Sequence, residues 1–337
     1  MTVLGTRHFL DLADHSSAQI RALLDDALDV RSLIDRAAPS APTQRLYGRF
    51  MEGRYVALLF EKPATRTRLH FELVTRDLGG HPIVLTARDM QMSRNETIAD
   101  TARVLSRHTD LILYRALSHE RLCEFAAHST APVINGLSDF SHPFRGLVEV
   151  MTFERSRGPI GGSTVAWVGD GNNMATSWIH AAALLDFSLR IACPVGFEPA
   201  SAVLSWAAQR GADVVVHHEP EPAVQDANCV ATDTWISMGQ GDEQLRRRAF
   251  RPFQVDQRLM GMAKRDAVFL HPLPAYRGEE VASEVIDGPQ SLAWEGGIEN
   301  KRYLLEALFA SLLGQDRCVM SAACSNGLSG EQAGDPV

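Results

Sequence analysis

Short apolar runs alternate along this chain with longer stretches of helical periodicity. Residues 16–36 place Ile20, Leu23, Leu24, Ala27 and Val30 on one face, which predicts an amphipathic helix. A loop rich in Ala, Pro and Ser follows at 37–44. The continuous run Tyr55-Val56-Ala57-Leu58-Leu59-Phe60 predicts a buried strand. Beyond it, Leu69, Phe71, Leu73 and Val74 sit at roughly helical spacing. The same rhythm predicts a strand at Pro82–Leu85, a helix over 96–106, a strand over 110–115, a helix over 118–128 and a strand at Pro132–Asn135. A loop carrying Ser141-His142-Pro143 comes next.

After Arg157-Gly158-Pro159-Ile160-Gly161-Gly162, a glycine-rich candidate hinge, a second series begins. Thr164–Val168 predicts a strand, Gly169-Asp170-Gly171-Asn172-Asn173 a tight turn, and a helix starts near Met174. Further strands are expected at 189–193, 213–217, 228–232 and 267–271. The tail from about 315 has little periodicity and is expected to be disordered. Strand and helix in alternation imply an α/β fold, with two doubly wound parallel-sheet domains and an interdomain cleft. A chain of 337 residues is long enough for two such domains.

Composition narrows the partners. A net charge of −8 argues against nucleic acid. The run Arg246-Arg247-Arg248 reads as a solvated helix face. Cys123, Cys193, Cys229, Cys318 and Cys324 are scattered and odd in number, which fits free thiols in a reducing compartment and no zinc site. The N-terminus has no apolar signal core, and no apolar run nears the ~20 residues that span a bilayer. A cytoplasmic protein with no membrane partner is expected.

Candidate chemistry lies at the strand ends. Thr65, Arg66, Thr67 and Arg68 fall at a strand-to-helix junction, where free backbone N–H groups and the helix dipole suit a phosphate. Arginine adds a fork of donors matched to phosphoryl oxygens. The segment alone also fits an ordinary helix start with solvated arginines. Ligands of open parallel sheets bind beyond the carboxyl ends of strands. Arg66, Arg115, His142, Asn173, Asp233 and His271 all fall there, split between the two domains.

These residues carry a resemblance. Thr65-Arg66-Thr67-Arg68 resembles the Ser-Thr-Arg-Thr-Arg signature of the aspartate/ornithine carbamoyltransferases, and His142-Pro143 the first half of their His-Pro-x-Gln motif. Asp233-Thr-Trp-Ile-Ser237-Met238-Gly239 is similar to the Asp-x-x-x-Ser-Met-Gly motif of the ornithine branch. His271-Pro272-Leu273-Pro274 with Arg277–Val281 resembles that branch's His-Cys-Leu-Pro segment and its sequel, and Gly169–Met174 its amino-acid-binding turn.

The resemblance implies a transferase that moves a carbamoyl group from carbamoyl phosphate to the side-chain amine of L-ornithine or a close diamino acid, without metal or cofactor. It implies a place in amino-acid metabolism such as arginine biosynthesis. It implies a carbamoyl-phosphate domain over 1–150, with a C-terminal helix at about 298–314 packed back on it, and an ornithine domain over 151–297. A homotrimer, or a multiple of one, with sites at subunit interfaces is also implied. Thr65, Arg66, Thr67, Gln91, Arg115, His142, Arg145 and Lys301 match the carbamoyl-phosphate binders, Gln91 coming from a neighbouring subunit. Asn173, Asp233, Ser237 and Met238 match the ornithine binders, and Arg66, Arg115, His142, Asp233 and His271 the catalytic set. Four positions depart from the pattern: Ala64 for Ser, Arg145 for Gln, Pro272 for Cys, and Lys301 for Arg. All lie on the donor side, so the donor chemistry is open to change while the ornithine side is intact. A divergent enzyme using another donor, or a non-catalytic amino-acid-binding homologue, is the alternative.

Overall fold

The computed structural model describes residues 4, 6–36, 49–91, 95–236 and 241–314. The described residues form two compact units. One takes residues up to Leu10, Ala22–Gly136 and the chain from Arg302; the other takes Asp11–Arg21 and Leu137–Lys301.

The first unit is built on a parallel four-stranded sheet: β1 (Tyr55–Phe60), β2 (His81–Thr86), β3 (Leu111–Arg115) and β4 (Val133–Asn135), in the order β2-β1-β3-β4. Val56, Ala57, Leu58 and Leu59 are all fully buried, because a parallel strand covered on both faces must be apolar at every position. Its helices are most of α1 (Ser17–Arg36), then α2 (Thr65–Asp77), α3 (Ile98–His108) and α4 (His119–His128). From Arg302 onward the last helix belongs here too: Phe309 packs 6.0 Å from Phe71, and Arg302 lies 3.1 Å from Asp77. Helix α2 bears out the helical spacing, with its apolar residues on two faces: Phe71 and Val74 are buried, but Leu69 and Leu73 are 54% and 51% exposed.

The second unit holds a parallel five-stranded sheet: β5 (Thr164–Val168), β6 (Ser188–Ala192), β7 (Val214–His217), β8 (Cys229–Ala231) and β9 (Val268–Leu270), in the order β7-β6-β5-β8-β9. Around it lie α5 (Pro143–Arg157), α6 (Asn173–Leu185), α7 (Ser201–Gln209), α8 (Pro220–Val224), α9 (Glu243–Phe250), α10 (Gln257–Met260) and α11 (Ser283–Ile286). The final helix, α12 (Glu295–Leu312), begins in this unit.

Helix α5 was not expected; between the loop carrying Ser141-His142-Pro143 and the hinge from Arg157 the pattern assigns no element. Every residue from Pro143 to Glu154 is buried, so that stretch shows no polar face, and its buried Arg145 and Glu149 pair with each other. Gly146 lets α5 approach α6: a Cβ there would stand 3.1 Å from the Ser177 Cβ. The 11–21 segment is fastened by Asp11, whose carboxylate accepts from the Ala13 N–H at 2.8 Å and lies 2.6 Å from Nδ1 of buried His180.

Each sheet has one place where strand order reverses, between β1 and β3 in the first and between β5 and β8 in the second. Open parallel sheets bind ligands at such points, beyond the strand ends. Arg66 follows β1 and Arg115 ends β3, the strands flanking the first; Asn173 and Asp233 follow those flanking the second.

Candidate active site

In the first unit, α2 starts with no side-chain cap. Ala64 holds the N-cap position and offers no acceptor, so the amides of the first turn keep their donors for something else. Thr65 and Arg66 are exposed there and Thr67 is half-buried. Arg115, the last residue of β3, is 9% exposed, and its Nε has no hydrogen-bond partner among the described residues. Burial, and then repulsion from Arg66, lower Arg115 to about 10. It is still a cation at neutral pH, but a poorly solvated one beside a like charge. An anion between the two guanidiniums relieves both penalties.

Glu61 braces this corner. Its buried carboxylate accepts from the Tyr114 hydroxyl at 2.9 Å, the Leu117 N–H at 2.8 Å and Arg121 at 2.6 Å. Its own N–H donates to the Arg115 carbonyl at 3.0 Å. The phenol of Tyr114 is pushed up by burial and by the Glu61 charge, so it stays a donor. Gln91 is exposed in the turn after β2, with its carbonyl accepting from the Glu96 N–H at 3.2 Å.

In the second unit, His142 is the N-cap of α5 and Pro143 its first residue, the place where proline fits a helix. The His142 N–H donates to Ser177 Oγ at 2.9 Å. One turn on, buried Arg145 pairs with Glu149 four residues ahead and donates to the His271 carbonyl at 2.9 Å. Its charge is therefore balanced internally. Removing one partner of such a buried pair costs about 3–5 kcal/mol. His271, just past β9, is fully buried. Its Nδ1 accepts from the Leu273 N–H at 2.9 Å, which puts the ring proton on Nε2, 3.3 Å from fully buried Glu280. Glu280 also accepts from the Tyr276 N–H at 2.5 Å. Pro272 and a cis Leu273–Pro274 bond lie between them in the chain.

Asn173 opens α6 and donates from Nδ2 to the Ser138 carbonyl at 2.8 Å. Its neighbour Asn172 caps the helix, accepting from the Met174 N–H at 2.9 Å, and donates to Asp233 at 3.3 Å. Asp233 also accepts from the Thr234 N–H at 2.7 Å. Burial is the main force raising the Asp233 carboxyl; nearby Glu280 adds to it, while the Thr234 N–H and Asn172 oppose it. A carboxylate so placed gains from an incoming ammonium. Lys301 is half-buried on α12. Ser237 and Met238 lie outside the described residues, as does the tail from 315.

The second unit thus brings together His142, Arg145, Asn173, Asp233 and His271, and the first unit brings together Thr65, Arg66, Thr67 and Arg115. Sequence reasoning missed Glu149, visible only as an i,i+4 partner of Arg145 once α5 is known to be a helix. It also misread Arg246. Arg247 pairs with Glu243 and Glu279 on the surface, but Arg246 is buried against Asp170. Among the described residues no group of three or more His, Cys, Asp or Glu side chains could hold a metal ion.

Two parallel α/β units, one with a guanidinium pair at an uncapped helix start and one with a desolvated carboxylate beside a helix start, define a class of protein: two-domain binders of a small anion and an amino compound at sheet switch points. A family model described as aspartate/ornithine carbamoyltransferase, carbamoyl-P binding domain, matches residues 7–155. One described as the Asp/Orn binding domain of the same enzymes matches residues 161–312. An ornithine carbamoyltransferase from Nitrobacter winogradskyi is 46% identical over 308 residues, covering 91% of this chain and 97% of its own. One from Brucella ovis is 45% identical over 313 residues, covering 93% and 97%. The solved structure of ornithine carbamoyltransferase from Pyrococcus furiosus superposes with a TM-score of 0.86 at 42% identity, over 94% of this chain and all of that one. That from Burkholderia thailandensis gives 0.82 at 37% identity, over 92% and 99%. The chain belongs to the aspartate/ornithine carbamoyltransferase family.

Proposed function

We propose that this enzyme transfers the carbamoyl group of carbamoyl phosphate to the side-chain amine of L-ornithine, giving citrulline and phosphate. The observation that carries the reading is buried Arg115, whose Nε has no hydrogen-bond partner among the described residues, beside Arg66 at the open start of α2. Relatives named ornithine carbamoyltransferase over nine-tenths of the chain support the acceptor.

The donor side comprises Thr65, Arg66, Thr67, Arg115 and His142, with Gln91, Arg145 and Lys301 contributing to it. The acceptor side comprises Asn173, Asp233, Ser237 and Met238. The domain over 1–150, with the C-terminal helix, takes the donor; that over 151–297 takes the acceptor. The phosphate lies at the α2 amides and Arg66. Arg115 and His142 donate to the carbonyl oxygen, whose growing negative charge they stabilise by ~3 kcal/mol each. Asp233 pairs with the α-ammonium of ornithine, and Asn173 holds its carboxylate. The side-chain amine, near pKa ~10.4 in water, must first lose a proton. Its nitrogen then bonds to the carbonyl carbon, the bond from that carbon to the phosphate oxygen breaks, and phosphate leaves with the electron pair and takes up the second proton shed by the nitrogen. Holding the two reactants in line supplies much of the acceleration.

Three of the four departures trim this site without removing its charge. Ala64 removes a hydroxyl but leaves the α2 amides open. Pro272 removes a thiol, and Lys301 keeps a cation. Arg145 adds no net charge for an extra anionic group, because Glu149 balances it. That pairing favours carbamoyl phosphate over an altered donor.

The working assembly is a homotrimer or a multiple of one, with Gln91 completing a neighbour's site. Exposed Leu69 and Leu73 support it; with Lys62, Thr65, Arg68 and Arg88 they line a recess of about 790 Å³ beside α2, a surface suited to a second copy. No helix among the described residues is long and apolar enough to cross a membrane. A cytoplasmic location accords with Cys193 and Cys229 being thiols outside any disulfide.

The test is acceptor competition. With carbamoyl phosphate saturating, ornithine is expected to exceed lysine and aspartate in kcat/KM by about 100-fold or more. Preference for aspartate would overturn the acceptor assignment.

A further inference from the structure

Within the second unit, one guanidinium ties together the two segments that carry the acceptor-side groups. Arg246, on α9, donates through Nη2 to the Asp170 carboxylate and through Nε to the Trp235 carbonyl at 2.7 Å. Asp170 is three residues before Asn173; Trp235 is two residues after Asp233. The guanidinium lies over the Phe197 ring at 4.9 Å and the Phe250 ring at 5.2 Å. The Arg246 and Asp170 side chains are 11% and 10% exposed, so solvent screens their attraction little.

The Asp170 turn has no slack of its own. The Trp167 indole donates to the Asp170 carbonyl at 2.9 Å, and the Gly171 N–H to the Phe197 carbonyl at 2.9 Å. A Cβ on Gly171 would stand 2.2 Å from the Pro199 nitrogen, so only glycine fits there. The other segment is also wedged: the Trp235 ring stacks on Phe250 at 6.2 Å. The segments also meet where the Thr232 hydroxyl donates to the Val168 carbonyl at 2.5 Å and, at the ligand end, through the 3.3 Å bond from Asn172 to Asp233. Arg246 adds a further tie that is charged, forked and packed on two rings.

We propose that Arg246 is a positioning residue for acceptor binding: by clamping the Asp170 turn to the Trp235 segment, it sets the spacing between Asn173 and Asp233 to match the carboxylate and ammonium of one amino acid. The proposal rests on Asn173 and Asp233 being the acceptor contacts. It gives Arg246 no contact with substrate, and it leaves the donor side untouched.

The test is steady-state kinetics on the intact enzyme with each substrate varied in turn. Arg246→Gln is expected to raise the ornithine KM about tenfold or more, with the carbamoyl phosphate KM within about twofold. Asp170→Asn should act in the same direction, and the double variant should be little worse than either single one, because both break one contact. Arg246→Lys keeps the charge without the fork, so its ornithine KM should fall between wild type and Gln; it serves if the Gln variant does not fold. A merely structural role would lower Tm while leaving the ornithine KM within about twofold, or raise both KM values together; either result overturns the proposal. Asn173→Ala and Asp233→Asn separate this failure from that of the acceptor assignment. If those variants keep the wild-type ornithine KM, the assignment itself is wrong; if they raise it and Arg246→Gln does not, only the clamp is wrong.

Discussion

Replacing Glu61 with alanine should cost the first unit about 3 kcal/mol. The figure follows from what its carboxylate holds. The Tyr114 hydroxyl is fully buried and would lose its acceptor, worth ~1–2 kcal/mol. Leu117 is 47% exposed, so water can take over its N–H at a loss of ~0.5 kcal/mol. The Arg121 side chain is 34% exposed, and solvent reduces that ion pair to ~1 kcal/mol. For a unit of this size the total lowers Tm by roughly 6–10 °C. Urea unfolding followed by far-UV circular dichroism measures it. All five tryptophans, at 167, 178, 206, 235 and 294, belong to the second unit, so their fluorescence gives a separate reading of that unit. Tyr114→Phe is the control and should lose only ~1 kcal/mol, since the carboxylate keeps its other donors. A loss below ~1 kcal/mol for Glu61→Ala, or an equal loss for both variants, would refute the picture of a shared buried acceptor.

Two further outcomes follow from the carboxyls of Asp233 and Asp11. Asp233 is raised, so its contribution to stability is full below the ordinary value of 3.8 and is lost as pH rises through the folded-state value. This group therefore contributes less stability at pH 7 than below pH 3.8. Asp233→Asn should raise stability there by on the order of 1 kcal/mol while cutting citrulline formation at least ~100-fold; calorimetry showing a lower Tm would contradict it. Asp11 has the opposite sign. Burial pushes it up, but His180, Ser141 and the Ala13 N–H prevail and lower it, so its contribution is present above 3.8 and lost as pH falls through the folded-state value. Asp11→Asn should cost ~2 kcal/mol at pH 7, and the gap to wild type should narrow below 3.8; a gap that does not change with pH would count against a carboxylate held by His180, Ser141 and the Ala13 N–H.

Much of this was legible from pattern alone. A parallel strand buried on both faces has to be continuously apolar, which is why β1 and β5 stand out in the sequence. Arg66, Arg115, Asn173 and Asp233 could be assigned to strand ends from pattern alone, and the structure puts them at the ends of, or just beyond, the strands that flank the two switch points. Helix α5 could not, because periodicity reports a polar face and α5 has none. Leu69 and Leu73 match the helix period as well as Phe71 and Val74 do, and spacing cannot say which face is inside. Arg246 looks identical to Arg247 and Arg248 in a basic run; only its meeting with Asp170, 76 residues earlier, separates it. The balance between Arg145 and Glu149 was hidden for the same reason, since a charge reads as available until its partner is placed.

The central claim is carbamoyl transfer at the Arg66–Arg115 pair. The most direct test mixes the purified protein with ¹³C-labelled carbamoyl phosphate and ornithine and follows the labelled carbon by NMR. The expected result is a ureido carbon of citrulline growing in step with free phosphate, and a loss of that rate by at least ~100-fold in Arg115→Met. Label that leaves carbamoyl phosphate only at the rate seen without protein would contradict it.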